Sequence, residues 1–256
     1  METKSPFEGV ERLYTQEGLK GLKDSHVMIV GIGGVGSWAA EALARTGVGK
    51  ITLVDLDDIC VSNINRQIHA TSESVGKMKV HQMQKRIQAI NPNAVVDCVE
   101  DFFSQSSMEE ILSIRCDYVI DAIDSVKSKC LLISECNKRS IPLVVTGGAG
   151  GKINPSLIQE SDLNRSYNCR LLAQVRKRLK LEHGFSRNKK RKYKIPCIFS
   201  PEDQILPEQA CELGSSPTNI NCENGFGSSV FITGTFGFMA AARVINDLAL
   251  GVKNDD

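Results

Sequence analysis

Residues 26–58 constrain this chain more than any other stretch. His26-Val27-Met28-Ile29-Val30 is a short apolar run that suits a strand buried on both faces. Gly31-Ile32-Gly33-Gly34-Val35-Gly36 follows at once and matches G-x-G-x-x-G. Ser37 to Thr46 carries Ala and Leu at helical spacing, Gly47 and Gly49 stop it, and Lys50 to Asp55 reads as a second strand ending on an acid. That order points to a nucleotide. Glycines at 31, 33, 34 and 36 let the backbone approach phosphates closely. The helix N-terminus offers unpaired amides and a positive dipole end, and Asp55 can hold a ribose. The glycine pattern alone is weak; strand, turn, helix, strand and acid in succession make it specific.

The next segments repeat the alternation. Residues 75–89 read as a helix with Val80, Met83, Ile87 and Ile90 on one face, ended by Asn91-Pro92-Asn93. Strands are expected at 94–99, 118–123 and 141–146, with helices at 108–114 and 125–139 between them. Strands alternating with helices require right-handed crossovers. The expected fold class is therefore α/β, a doubly wound, mainly parallel, Rossmann-like sheet with a C-terminal extension. Gly147-Gly148-Ala149-Gly150-Gly151 breaks the rhythm. We therefore divide the chain into a nucleotide-binding core, residues 1–151, and an extension, residues 152–256, packed on the core as one domain. In the extension, 152–158 is expected as an extended edge segment because of Pro155. A basic helix at 171–181, a last strand at 193–200, a long loop at 201–227 and a closing helix at 228–250 should follow. Before the first strand, residues 7–23 read as one or two short helices in which Arg12 has no evident packing role.

Charge and cysteine usage narrow the class. With 41% apolar and 24% charged residues in 256, the chain can bury a full core. Its formal net charge of +1 hides an asymmetry: residues 165–194 hold twelve Lys or Arg against the single acid Glu182. Such a segment repels itself and is expected to be mobile; it is either a solvated surface or a magnet for a polyanion. None of the nine cysteines forms a C-x-x-C pair, and most lie in apolar runs where a reduced thiol packs as a small hydrophobe. Residues 1–20 lack a signal-peptide pattern, so a reducing, cytoplasmic setting is expected. Residues 225–242 carry no charge, yet their four glycines and several hydroxyls favour a buried helix over a membrane span. Membrane association of the last helix stays open.

Two chemistries fit the glycine turn: a dinucleotide for hydride transfer, and ATP for adenylation. Asp55 serves a ribose in both. Attack on an α-phosphate loads charge onto that group and onto the departing pyrophosphate, which cations and a magnesium ion stabilise. Arg66, Lys79 and Asp124 stand near expected strand ends, where open α/β sheets bind ligands. A hydride site needs none of them. Each has an ordinary alternative: surface charge for Arg66 and Lys79, a helix N-cap for Asp124.

Together these residues resemble a known family. Gly31 to Gly36 with Ser37-Trp38, Asp55-x-Asp57, Ser62-Asn63-x-x-Arg66-Gln67, Gly76-x-x-Lys79 and Asp121-x-x-Asp124 are similar to motifs of the adenylating enzymes related to ubiquitin-activating enzyme, the HesA/MoeB/ThiF superfamily. The similarity covers about residues 11–151. It implies ATP as cofactor, with Asp55 on the ribose, Arg66 and Lys79 on phosphates, and Asp124 serving Mg²⁺. Gly31, Gly33, Gly34, Gly36, Asp57, Asn63 and Gln67 would complete the nucleotide site. It also implies a homodimer in which Arg12 enters the partner's ATP site.

The second half narrows the branch. Sulfur-carrier activators of that superfamily usually carry two zinc-binding C-x-x-C pairs; this chain has none, so no zinc is expected. Thr146-Gly-Gly-Ala-Gly-Gly-Lys152-Ile-x-Pro155, Leu171-x-x-x-Val175-Arg176-x-x-Leu179-Lys180, and Asn224-Gly-Phe-Gly-Ser228 with Thr235-Phe-Gly-Phe238 resemble the tRNA threonylcarbamoyladenosine dehydratase branch. That resemblance implies ATP-dependent activation of the side-chain carboxylate of the modified adenosine at position 37 of certain tRNAs. Cyclisation then expels AMP, with net loss of water. A tRNA carrying threonylcarbamoyladenosine would give the basic stretch a role. Arg176, Lys177, Arg187, Lys189, Lys190, Arg191 and Lys192 are the candidate tRNA contacts, because phosphate contacts supply much of such affinity. Internal cyclisation needs no thioester cysteine, only a carboxylate in line with the α-phosphate. Cys222 is a candidate persulfide acceptor or adenylate-capturing thiol, since relatives are linked to a cysteine-desulfurase sulfur-relay system; packing is its plain alternative. The 147–151 turn is a candidate for holding a monovalent cation, Na⁺ or K⁺. Two other readings stay in view: adenylation of a small sulfur-carrier protein, and a non-catalytic partner that binds nucleotide or protein without turnover.

Overall fold

β1 (His26–Val30) is buried at all five positions, as its unalternating sequence requires. The computed structural model describes residues 5–206 and 226–251. β2 (Lys50–Val54) pairs parallel to β1, and β3 (Val95–Val99) parallel to β2. On the other side of β1 lie β4 (Tyr118–Asp121) and β5 (Leu143–Thr146), also parallel. β6 (Gln159–Asp162) and β7 (Pro196–Phe199) extend the sheet, giving the order β3-β2-β1-β4-β5-β7-β6. β7 runs parallel to β5, and only β6, at the edge, is antiparallel. The chain order reverses between β1 and β4, which opens a crevice at their carboxyl ends.

Helices cover both faces. Val27 and Ile29 point into a core shared with α1 (Glu8–Asp24), α2 (Gly36–Arg45), α3 (Lys79–Ile90) and α7 (Val230–Leu250). Met28 and Val30 point into a second core with α4 (Met108–Ser113), α5 (Val126–Arg139) and α6 (Arg170–Glu182). Alternate residues of one strand thus feed two layers. α7 lies against α2 and carries two glycines there. A Cβ on Gly237 would stand 2.5 Å from the Val35 carbonyl oxygen, whereas one on Gly234 would meet the Trp38 ring at 3.7 Å. Two residues of α7 also fix other elements: Asp247 accepts from the Tyr118 hydroxyl at 2.9 Å, and Asn246 from the Tyr14 hydroxyl at 2.7 Å. No helix among the described residues is long and apolar enough to cross a membrane.

Several expectations need correction. The helix expected from residue 75 begins at Lys79, because Gly76 takes φ +79° and residues 76–79 fold back beside 57–59. The Ile59 amide donates to the Lys77 carbonyl and the Gly76 amide to the Ile59 carbonyl. Residues 152–158 are not a strand; Asn154 caps a 3-10 turn at Pro155–Leu157, and the edge strand starts at Gln159. The basic segment is held rather than loose. Asp162 accepts from the amides of Tyr193 and Lys194, and the Asn164 amide group donates to the carbonyls of Asn188 and Arg191. α1 is one element with a break at Thr15, whose φ of 67° and ψ of 170° are not helical.

Candidate active site

The glycine turn connects β1 to α2 at the crevice. Gly31 has φ +93°, and a Cβ there would sit 2.9 Å from the Ala122 carbonyl oxygen. At Gly36 a Cβ would stand 1.9 Å from the Gly31 carbonyl oxygen, so only glycine lets the turn close on itself. α2 has no side-chain cap at Val35, which leaves first-turn amides and a positive dipole end for an anion. Gly33 and Gly34 lie beside Gln67 and Arg66: Cβ atoms there would be 3.9 Å from Gln67 Nε2 and 3.5 Å from Arg66 Cδ.

Asp55 follows β2 and is buried. Its Oδ2 accepts from the Ile32 amide at 2.6 Å and its Oδ1 from the Asp57 amide at 2.9 Å. Burial pushes its carboxyl above the usual carboxylate range, against the pull of Lys79 and the two amides. Lys79, the first residue of α3, places its buried Nζ 2.6 Å from Asp57 Oδ2. The fold-back at Gly76 thus brings Asp55, Asp57 and Lys79 together on one wall.

The opposite wall is the loop at residues 61–70. Asn63 is buried and its Oδ1 accepts from the Cys60 amide at 3.1 Å. The Arg66 carbonyl accepts from Trp38 Nε1 at 2.9 Å and from Thr233 Oγ1 at 3.3 Å, while Asn65 Nδ2 donates to the Ser228 carbonyl at 3.0 Å. α2 and the start of α7 therefore set where Arg66 stands. Neither Thr233 nor Ser228 carries a sequence signal for such a role, since each acts from a segment more than 160 residues downstream.

The floor is the turn after β4. Asp124 is exposed, precedes Ser125 at the N-cap position of α5, and has no hydrogen-bond partner among the described residues. It does not cap the helix. Among the described residues no group of three metal-binding side chains occurs. A lone unpaired carboxylate beside an anion site suits a Mg²⁺ that arrives on phosphates better than a protein-made cage. Beneath it, Asp121 and Lys129 form an ion pair at 2.7 Å with both side chains fully buried. The motif spacing picks out Asp121 but not Lys129. A signal for Lys129 exists all the same: it occupies the apolar stripe of α5 with Leu132, Ile133 and Cys136, where a lysine is out of place without a partner.

Among the described residues, Ser37 Oγ, Gln67 Oε1, Asp121 Oδ2 and Ser229 Oγ are buried without a partner, as are atoms of His69, Asn164 and Gln204.

Other candidates lie elsewhere. Arg12 is exposed on α1 and pairs with Glu8 at 3.3 Å. Lys177, Arg187, Lys189, Lys190, Arg191 and Lys192 lie along α6 and the loop after it, on the outer surface. Arg176 is half-buried, donates to Ser166 Oγ, and is held below its ordinary pKa by burial. In the 147–151 turn, the Gly150 and Gly151 carbonyls already accept from Gln204 Nε2 at 3.1 Å and the Ile205 amide at 2.8 Å. Cys222 lies outside the described residues.

A glycine turn at the switch point, an acid at the end of β2 and cations on both walls define a Rossmann-like nucleotide-binding protein of the adenylating class. The chain belongs to the ThiF family, whose profile matches residues 10–252. It is 47% identical to the tRNA threonylcarbamoyladenosine dehydratase of Haemophilus influenzae, over 94% of this chain and 92% of that one. The enzyme of the same name from Bacillus subtilis is 38% identical over 93% of this chain and 92% of its own length. The solved structure of Escherichia coli tRNA N6-threonylcarbamoyladenosine dehydratase in complex with ATP superposes with a TM-score of 0.87. It is 44% identical and covers 96% of this chain and 94% of that chain.

Proposed function

We propose that this protein uses ATP to activate the side-chain carboxylate of N6-threonylcarbamoyladenosine in tRNA and promotes its cyclisation. The carboxylate attacks the α-phosphorus and pyrophosphate leaves. A nucleophile of the carbamoyl group then attacks the acyl carbon, AMP departs, and the nucleoside has lost one water. The observation that carries this reading is similarity along nearly the whole chain to dehydratases of that name, including the extension.

The chain's own groups fit distinct tasks. Asp55, fixed by two amides, holds the ribose. The glycine-turn amides, Arg66 and Lys79 hold phosphates, with Asn63, Gln67 and Asp57 beside them. Lys79 leaves Asp57 for the phosphates when ATP enters. Asp124 would hold Mg²⁺, which supplies charge neutralisation on the phosphates. The cations at 177, 187 and 189–192 hold the tRNA backbone.

Arg12 serves a partner's site rather than its own. α1 packs against the far end of α7, through Tyr14 to Asn246, while Thr233 near the other end meets Arg66. Thirteen helical residues separate those two points of α7, about 20 Å at 1.5 Å per residue. That separation supports a homodimer in which Arg12 crosses to the second site.

The test is mass spectrometry of nucleosides from threonylcarbamoylated tRNA incubated with the protein, ATP and Mg²⁺. Loss of one water from the modified adenosine, only with ATP, is the expected result. No shift, with ATP consumed only when a small carrier protein ending in Gly-Gly is present, would instead make this a sulfur-carrier activator.

A further inference from the structure

We propose that Lys129 is a positioning residue: through Asp121 it holds the turn that carries Asp124, and so sets where the metal-binding carboxylate stands. The inference rests on the reading above that Asp124 serves Mg²⁺ on ATP.

Asp124 makes no hydrogen bond among the described residues, so its side chain is not held by its own contacts. Its place is set by the backbone of residues 121–123, and that backbone is pinned from four directions. From α5, Lys129 Nζ reaches Asp121 Oδ1 at 2.7 Å and the Asp121 carbonyl at 3.4 Å. From β5, Thr146 Oγ1 donates to the same carbonyl at 3.0 Å. From β1, the Val30 carbonyl takes the Ala122 amide at 2.9 Å. From the glycine turn, Gly31 lies so close to the Ala122 carbonyl that no side chain fits between them. Asp121 turns its own carboxylate along the chain and accepts the Ile123 amide on the same Oδ1 at 3.0 Å.

Three of those pins are backbone or hydroxyl contacts usual at strand ends. The fourth is a fully buried ion pair, and such a pair is rarely worth more to stability than apolar side chains of equal volume. Its function is geometric. Lys129 bridges Oδ1 and the main-chain oxygen of one residue, which locks the Asp121 side chain in the rotamer that receives Ile123. Burial pushes the Asp121 carboxyl upward and Lys129 opposes this, keeping it an acceptor for that amide. Without the lysine the buried charge is uncompensated, the acid takes a proton or swings away, and residues 122–124 lose their anchor.

The experiment is isothermal titration calorimetry of ATP into the full chain, with and without Mg²⁺, in the wild type, Asp124→Asn, Lys129→Met and the double variant Asp121→Asn/Lys129→Met. The quantity read is the gain in ATP affinity that Mg²⁺ confers. In Lys129→Met we expect that gain to fall about 10-fold or more, the usual loss when a residue orienting a metal ligand is removed. Affinity for metal-free ATP should not fall with it. The double variant, free of the buried charge, should recover the melting temperature of the wild type but not the gain. A purely structural pair predicts the same restored stability but a wild-type gain, and that result overturns the inference. If Lys129→Met does not fold, the double variant decides in the same way. A full gain in Lys129→Met alongside a reduced one in Asp124→Asn also overturns it, leaving Asp124 in place. An undiminished gain in Asp124→Asn removes the role of Asp124, and the inference falls with it.

Discussion

Two glycines one turn apart on α7 should respond to alanine with opposite sign. At Gly237 a Cβ would lie 2.5 Å from the Val35 carbonyl oxygen, 2.8 Å from Trp38 Cβ and 2.9 Å from the Ala39 amide nitrogen. Ordinary contact needs roughly 3.4 Å, so α7 must retreat from α2 by about 0.9 Å. All three neighbours belong to the stretch of chain that opens α2, and none is a flexible side-chain end. Overpacking of this kind costs about 1–3 kcal/mol, and the backbone clash places Gly237→Ala at the upper limit. Alanine returns about 1 kcal/mol of helix propensity, which leaves a net loss of about 2 kcal/mol. At Gly234 the nearest atoms are those of the Trp38 ring, 3.7–3.9 Å away, so Gly234→Ala keeps the propensity gain of about 1 kcal/mol. At about 2–4 °C per kcal/mol for chains of this size, Tm should fall by about 4–8 °C in the first variant and rise by about 2–4 °C in the second. ATP titration supplies a second readout. Retreat of α7 moves Thr233 and Ser228 away from the Arg66 loop, so Gly237→Ala should also bind ATP more weakly, while Gly234→Ala binds as the wild type does. Equal melting of Gly237→Ala and the wild type would refute the close crossing of α7 over the glycine turn.

Thr15 occupies a backbone region that only glycine adopts freely, while its Oγ1 accepts from the Gly18 amide at 3.4 Å. Thr15→Gly should therefore raise stability by about 1 kcal/mol in urea titrations, and Thr15→Val, which keeps the strain and removes the acceptor, should lower it by about 1 kcal/mol. His69 is buried with neither ring nitrogen bonded, and burial together with Lys79 and Arg86 holds its pKa down at about 4. Because the unfolded chain takes up that proton nearer 6.5, stability is intact above 6.5 and drains as pH falls toward 4, by on the order of 3 kcal/mol. Melting curves of His69→Phe should lack that share of the acid slope; an identical slope would assign it to other groups. Replacing Lys189, Lys190, Arg191 and Lys192 with Gln should weaken tRNA binding and flatten its salt dependence, by about 0.7–0.9 in log–log slope for each phosphate no longer neutralised. An unchanged slope would place the tRNA on another face.

The parallel sheet was legible because most of its strands are largely apolar runs and its helices carry 3.6-residue stripes. The errors came where specific hydrogen bonds, local or distant, outweigh periodicity and charge. Residues 75–78 have helical composition, but Gly76 at positive φ turns them back toward Ile59, so the helix starts four residues later than its pattern implies. The basic stretch reads as self-repelling from charge alone. It is held by two neutral or acidic side chains, Asp162 and Asn164, whose reach of about 30 residues no local pattern reveals. Of the candidate site, the acids and cations carry motif spacing, and the structure brings Asp55, Asp57 and Lys79 together; Thr233, which holds the Arg66 carbonyl, carries no such spacing. Thr233 and Ser228 act through a hydroxyl and a main-chain carbonyl that no local window announces, whereas Lys129 shows itself as a lysine in the apolar stripe of α5 without naming its partner.

The last helix bears on when the site comes into being. Asn65 meets Ser228 across 163 residues, and the Arg66 carbonyl meets Thr233 across 167. On the ribosome, the glycine turn, Asp55 and Lys79 emerge early and can begin to fold, since domains assemble from the N-terminal side during synthesis at about 5–20 residues per second. Arg66 cannot take its final position until α7 has emerged and crossed α2, roughly ten seconds or more later at those rates. A nascent chain paused before residue 228 would thus carry most of a sheet while the loop of Arg66, the residue proposed to hold phosphates, lacked its anchors. Nucleotide binding then reports on completion of the chain, and free ATP has little to grip on the intermediates that precede it.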